Sequence, residues 1–115
     1  MHIKDKVAVV TGAASGIGEA VVRELAQRGA RAIVLVDRSD RASELARSVN
    51  QSAGREVAHA RVGDATDEAF RRSVYDEAVA RHGVVQICVP AARQADLSIL
   101  TASESRVMPA AGTRI

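Results

Sequence analysis

The residue types best placed to do chemistry stand in one short stretch, Thr11-Gly12-Ala13-Ala14-Ser15-Gly16-Ile17-Gly18. It joins a β-branched run, Val7-Ala8-Val9-Val10, to a segment in which Ile17, Val21 and Leu25 recur at helical spacing. Glycine is wanted at such a junction for three reasons: to turn the chain sharply off a strand, to let backbone approach a ligand, and to let the helix pack closely on the sheet. The free N–H groups and the dipole at the helix start favour a phosphate there. Gly12, Ser15, Gly16, Ile17 and Gly18 are therefore the candidate cradle for a pyrophosphate. A Walker phosphate loop is excluded, because no Gly-Lys-Ser/Thr follows and the only lysines are Lys4 and Lys6. Asp37 ends the next apolar run, about 20 residues beyond the last glycine, where a carboxylate accepts from a ribose 2′-OH and repels a 2′-phosphate. Arg38 beside it could instead meet such a phosphate, yet with Asp37 present NAD is expected over NADP.

Other reactive types are scattered. His2, His59 and His82 show no metal-ligand spacing, and Cys88, the single cysteine, lies in an apolar run as a small core residue. Arg71-Arg72 reads as a solvated helix face. No metal site is expected.

The elements that must hold the glycine turn come from an alternation of apolar runs and 3.6-period segments. The strands are expected at Val7–Val10, Ala32–Val36, Val57–Val62 and Val84–Val89. Between them, Ile17, Val21 and Leu25 form one helical face that stops at Gly29. Ala42, Leu45, Ala46 and Val49 form a second, with Ser39 as its N-cap and Gly54 as its stop. Phe70, Val74 and Ala78 form a third, capped by Thr66 and ending at Gly83. Continuous apolar runs in strands one, two and four imply burial on both faces of a parallel sheet. Right-handed crossovers then give the order 3-2-1-4, an α/β doubly wound sheet of Rossmann type, with the ligand crevice at the carboxyl ends between strands one and four. Residues 1–92 form this unit. From Arg93 to Ile115 the periodicity dissolves, and no structure is assigned to 93–115.

Composition agrees with one small globular domain: 115 residues, 47% hydrophobic and 26% charged. A net charge of +2 without a basic cluster, and aromatics limited to Phe70 and Tyr75, exclude the electrostatic stripe and stacking platform of a nucleic-acid binder. No apolar run approaches the roughly 20 residues of a membrane span, and the start lacks a secretory segment, so a cytoplasmic protein is expected.

The T-G-x-x-x-G-x-G spacing, with Asp37 and Gly63-Asp64-Ala65 following their strands, resembles the short-chain dehydrogenase/reductase family over residues 4–92. The resemblance implies a dinucleotide cofactor, with the adenine amino group near Asp64 and Ala65, and hydride exchange between NAD(P)(H) and an alcohol or carbonyl in full-length members. The chain departs from that pattern in two places. Where the family has an Asn-Asn-Ala-Gly-like segment, this sequence has Pro90-Ala91-Ala92-Arg93. The family's serine and Tyr-x-x-x-Lys pair belong to a second half that this sequence does not show. Its single tyrosine, Tyr75, precedes the fourth strand and has Val79 where the lysine would be, so it reads as a helix residue at a surface edge. No catalytic residue is assigned. The abrupt change after Ala92 is what a frameshift or fusion junction would produce. A fourth strand left at the sheet edge invites self-association or a partner chain.

Overall fold

The computed structural model describes residues 2–91. The elements run β1 (Val7–Thr11), α1 (Gly16–Gln27), β2 (Ala32–Asp37), α2 (Arg41–Ala53), β3 (Ala58–Val62), α3 (Glu68–His82) and β4 (Ile87–Pro90). The strands form one sheet in the order β3-β2-β1-β4, every pairing parallel. This is the expected Rossmann-type order. In register, Val9 lies beside Val34 on one side and Cys88 on the other.

Side chains alternate across a strand, so a run that is apolar at every position feeds two cores. Ala8, Val10, Ile33 and Leu35 face α1 and α2, where they meet Val22, Leu25, Leu45 and Val49. Val9, Val34 and Val36 face the other way onto Val74 and Ala78 of α3, with Phe70 and Tyr75 at the margin. No polar or charged residue is buried among the described residues, so the core requires no internal ion pair.

Several boundaries differ from the expectations, each for a local reason. Ile17 does not join the helical core face: it is 61% exposed, and the buried residues of α1 are Gly18, Val22 and Leu25. Helix α2 starts one residue late for a Ser39 cap. Asp40 holds the N-cap position without a side-chain cap bond, although Ser39 Oγ still accepts from Arg41 N at 3.1 Å. Asp67, not Thr66, caps α3, its Oδ1 accepting from Ala69 N at 2.9 Å and from Phe70 N at 3.4 Å. Strand β3 begins at Ala58, because the side-chain Oδ1 of Asn50 takes the N–H of both Val57 and Ala58 (2.8 and 2.7 Å). Strand β4 starts at Ile87, and all four of its residues are only half-buried. Its expected burial on both faces fails because β1 is its sole strand partner among the described residues. The stretch 93–115 lies outside the described residues, as do Arg93 and the later Pro109-Ala110-Ala111-Gly112 string.

Candidate nucleotide-binding site

The carboxyl ends of β1, β2 and β3 bring the sequence-selected residues to one edge of the sheet. Gly12 turns the chain off β1 with a positive φ of 69°, a conformation glycine adopts without a Cβ clash. At Gly18 the constraint is packing. A Cβ there would lie 2.2 Å from Gly12 O and 2.7 Å from Ala13 Cα, so the start of α1 rests directly on the turn. Gly16 is different: its φ is not positive, and a Cβ there meets nothing within 4 Å. Neither fold nor packing demands glycine at that position, and the space beside it is open.

Ser15 is the N-cap of α1. Its Oγ accepts from Gly18 N at 3.0 Å and donates to Gly12 O at 2.8 Å, with Ala91 O as a second acceptor at 3.3 Å. Ala91 N in turn donates to Thr11 O at 2.9 Å. The end of β4 is thereby tied to the turn, which places the crevice between β1 and β4 where the topology reverses. The first N–H groups of a helix have no intrahelical acceptor. With Gly18 N satisfied by Ser15, the N–H groups of Gly16 and Ile17 find no acceptor among the described residues. Bare amides, the positive end of the helix dipole and the space at Gly16 together fit a phosphate.

Asp37 sits over this turn. Its Oδ2 accepts from Ala14 N at 3.0 Å and its Oδ1 from Ser39 N at 2.9 Å, while Ala13 N donates to Val36 O at 3.1 Å. Each carboxylate oxygen keeps a second lone pair for a ligand hydroxyl. Arg38 is exposed. At the next strand end, Gly63 N donates to Asp37 O at 2.8 Å, bringing Asp64 and Ala65 alongside. Asp64 Oδ1 accepts from Thr66 Oγ1 (2.7 Å) and Thr66 N (2.9 Å). Those two bonds, the hydroxyl's the larger, hold its carboxyl below the ordinary carboxylate value; Arg38 adds a smaller pull in the same direction. Asp64 thus organises the loop before α3, whereas the capping bonds of α3 belong to Asp67. Sequence reasoning missed why Gly63 precedes it. A Cβ there would come within 2.4 Å of the Phe70 ring, so glycine seats the aromatic that closes the α3 core.

The remaining candidates lie elsewhere. Tyr75 packs half-buried at the margin of the α3 core, the edge position expected of it, and its hydroxyl donates to Cys88 Sγ at 3.3 Å. Burial first, then the neighbouring thiol, raises the Tyr75 pKa, and burial raises that of Cys88, so both stay protonated. His59 and His82, isolated in sequence, are neighbours in space with ring centroids 5.6 Å apart. They line a cleft of about 310 Å³ between β3 and α3, together with the ion-paired Arg61 and Glu77. No group of three metal-ligating side chains occurs among the described residues. Nor is any helix among them long and apolar enough to cross a membrane. Both this cleft and a hollow of about 290 Å³ between α1 and α2 lie away from the glycine turn, which is an open cradle.

Comparison with known proteins agrees with this geometry. The family described as short chain dehydrogenase matches residues 6–107, extending beyond residue 92, where the periodicity of the sequence dissolves. The chain is 43% identical over 83 residues to (-)-isopiperitenol/(-)-carveol dehydrogenase, mitochondrial, of Mentha piperita, covering 71% of this chain and 30% of that protein. It is 44% identical over 85 residues to cis-4-hydroxycyclohexanecarboxylate dehydrogenase of Sinomonas cyclohexanicum, covering 74% and 33%. Sex determination protein tasselseed-2 of Zea mays is 45% identical over 82 residues, covering 71% and 23%. The chain therefore spans a third or less of the length of these relatives. The family match, the strand order and the glycine turn agree, and the chain belongs to the short chain dehydrogenase family.

Proposed function

We propose that this chain carries the nucleotide-binding half of an NAD(H)-dependent oxidoreductase acting on an alcohol or carbonyl. The diphosphate lies on the amides of Gly12 to Gly18, with Ser15 and Ile17 at its edge. The adenine ribose meets Asp37, and the adenine lies near Asp64 and Ala65. The observation that supports this most directly is the placement of the Asp37 carboxylate on the turn amide of Ala14, next to the open space at Gly16. A carboxylate at that position favours a free ribose 2′-OH over a 2′-phosphate by charge and by hydrogen bonding, hence NAD over NADP. The nicotinamide end of such a cofactor supplies hydride exchange. The residues described here bind and orient; none has the arrangement of a proton donor to a carbonyl. We therefore expect the 115 residues alone to bind dinucleotide without turning over a substrate.

Calorimetric titration with NADH, NADPH and AMP tests the reading. NADH is expected to bind more tightly than NADPH; AMP binding about as well as NADH would show that only the adenosine half of the cofactor is recognised. Absence of NADH binding, or tighter binding of NADPH, would overturn it. The half-buried β4, paired only with β1 among the described residues, favours a second reading in which a partner chain or a second copy completes the sheet. A single, discrete oligomer in size-exclusion chromatography supports that module; polydisperse aggregate counts against it.

A further inference from the structure

Two consecutive amides sew the glycine turn to the end of β2. Ala13 N donates to the backbone at Val36 O, at 3.1 Å, and Ala14 N donates to a side chain, Asp37 Oδ2, at 3.0 Å. The first of these survives any substitution at position 37; the second does not. The carboxylate is itself oriented by Ser39 N on its other oxygen, at 2.9 Å. Its position is thus set by the chain that enters α2, and it transmits that position to the turn. Gly16 and Ile17, whose N–H groups find no acceptor among the described residues, follow Ala14 by two and three residues.

Resting on the dinucleotide reading above, we propose that Asp37 is a positioning residue for the diphosphate turn as well as an acceptor for the ribose. By holding Ala14 N it sets the path of the turn and therefore the aim of the Gly16 and Ile17 amides. Occupation of the ribose site and occupation of the diphosphate site are coupled through this one carboxylate. A direct consequence follows for cofactor preference: removing Asp37 to admit a 2′-phosphate also loosens the grip on the diphosphate that both cofactors share.

The test uses the full chain with Asp37→Ala and Asp37→Asn. It reads hydrogen exchange at the Ala14 amide without ligand, and the binding of NADH, adenosine and inorganic pyrophosphate. A hydrogen bond to a charged acceptor accounts for about tenfold in such measurements. Asp37→Ala is therefore expected to speed exchange at Ala14 by about tenfold, and to bind pyrophosphate, which has no ribose, about tenfold more weakly than Asp37→Asn, which loses the same repelling charge. Asp37→Asn, whose amide oxygen can still accept from Ala14, keeps exchange at Ala14 near that of the wild type and is the charge-matched reference for pyrophosphate. Should Asp37→Ala fail to fold, Asp37→Ser carries the same comparison, its hydroxyl being one atom shorter. Loss of NADH and adenosine binding in Asp37→Ala, with pyrophosphate affinity equal to that of Asp37→Asn and Ala14 exchange unchanged, would overturn this inference alone. Failure of the wild-type chain to bind NADH or pyrophosphate would overturn the dinucleotide reading and the inference together.

Discussion

At Gly12, Gly16 and Gly18 one residue type answers three different physical demands, and substitution separates them. Gly18→Ala drives a Cβ onto Gly12 O, and overpacking of this kind costs about 1–3 kcal/mol or more. Gly16→Ala meets no atom of the chain and should leave stability unchanged or raise it by about 0.5 kcal/mol, since alanine is the better helix former. The same Gly16→Ala change should abolish or strongly weaken NADH binding, because the new methyl occupies the cradle. Urea denaturation and calorimetry on the two variants check this. A Gly16→Ala chain that binds NADH normally would count against the cradle. The glycine pattern was readable from sequence as a turn with a phosphate use, but the division of labour among its members was not. Spacing alone does not say which Cβ would collide and which would meet empty space.

Among the elements, the helix starts show how a short polar run hides its own punctuation. Around α3 the string Asp64-Ala65-Thr66-Asp67 offers three capping residues within four positions. Asp67 holds the cap because it has the extended backbone, at φ −79° and ψ 117°, that aims its carboxylate back at Ala69 N and Phe70 N. Asp67→Ala should therefore cost about 1 kcal/mol. Asp40→Ala, at the start of α2, should cost little, since Asp40 lies in a helical conformation with no cap bond. Equilibrium unfolding of the two variants side by side distinguishes them. The apolar faces of α2 and α3 agree with the sequence periodicity: Ala42, Leu45, Ala46 and Val49 are buried on α2, and Val74 and Ala78 on α3 with Phe70 packed beside them. The face of α1 shifts by one position. Gly18, closest to the turn, takes the buried place, and Ile17 turns outward and is exposed.

For the molecule as a whole, the parallel sheet joins residues far apart in sequence, and it does so away from the candidate site as well. His59 on β3 meets His82 at the end of α3. Partial burial first, and then the charges of His59, Arg31 and Arg81, hold His82 below its ordinary pKa of 6.5. At pH above that value His82 is neutral in both states and contributes no pH dependence. As the pH falls through 6.5 the unfolded chain takes up the proton first, so stability declines until the pH passes the lower folded value. His82→Asn should remove this part of the slope, which lies below about pH 6.5, while leaving the Arg31 contact to the His82 backbone oxygen in place. Thermal unfolding across that range reads it. Because the side chain remains largely solvated, the effect is expected to be small.

The amino-acid order by itself determined the element types, the parallel sheet with its β3-β2-β1-β4 order, and the location of the glycine turn. Apolar runs, helical periodicity and glycine chemistry are local, and crossover handedness leaves few ways to connect them. Tertiary structure alone decided that Asp37 grips Ala14, that Gly63 makes room for Phe70, that Tyr75 turns inward to Cys88, and that β4 stays half-buried. Each of those depends on a distance between chain segments that meet only when the sheet closes. Side-chain reach and available space are properties of that closure, and no pattern along the chain encodes them one residue at a time.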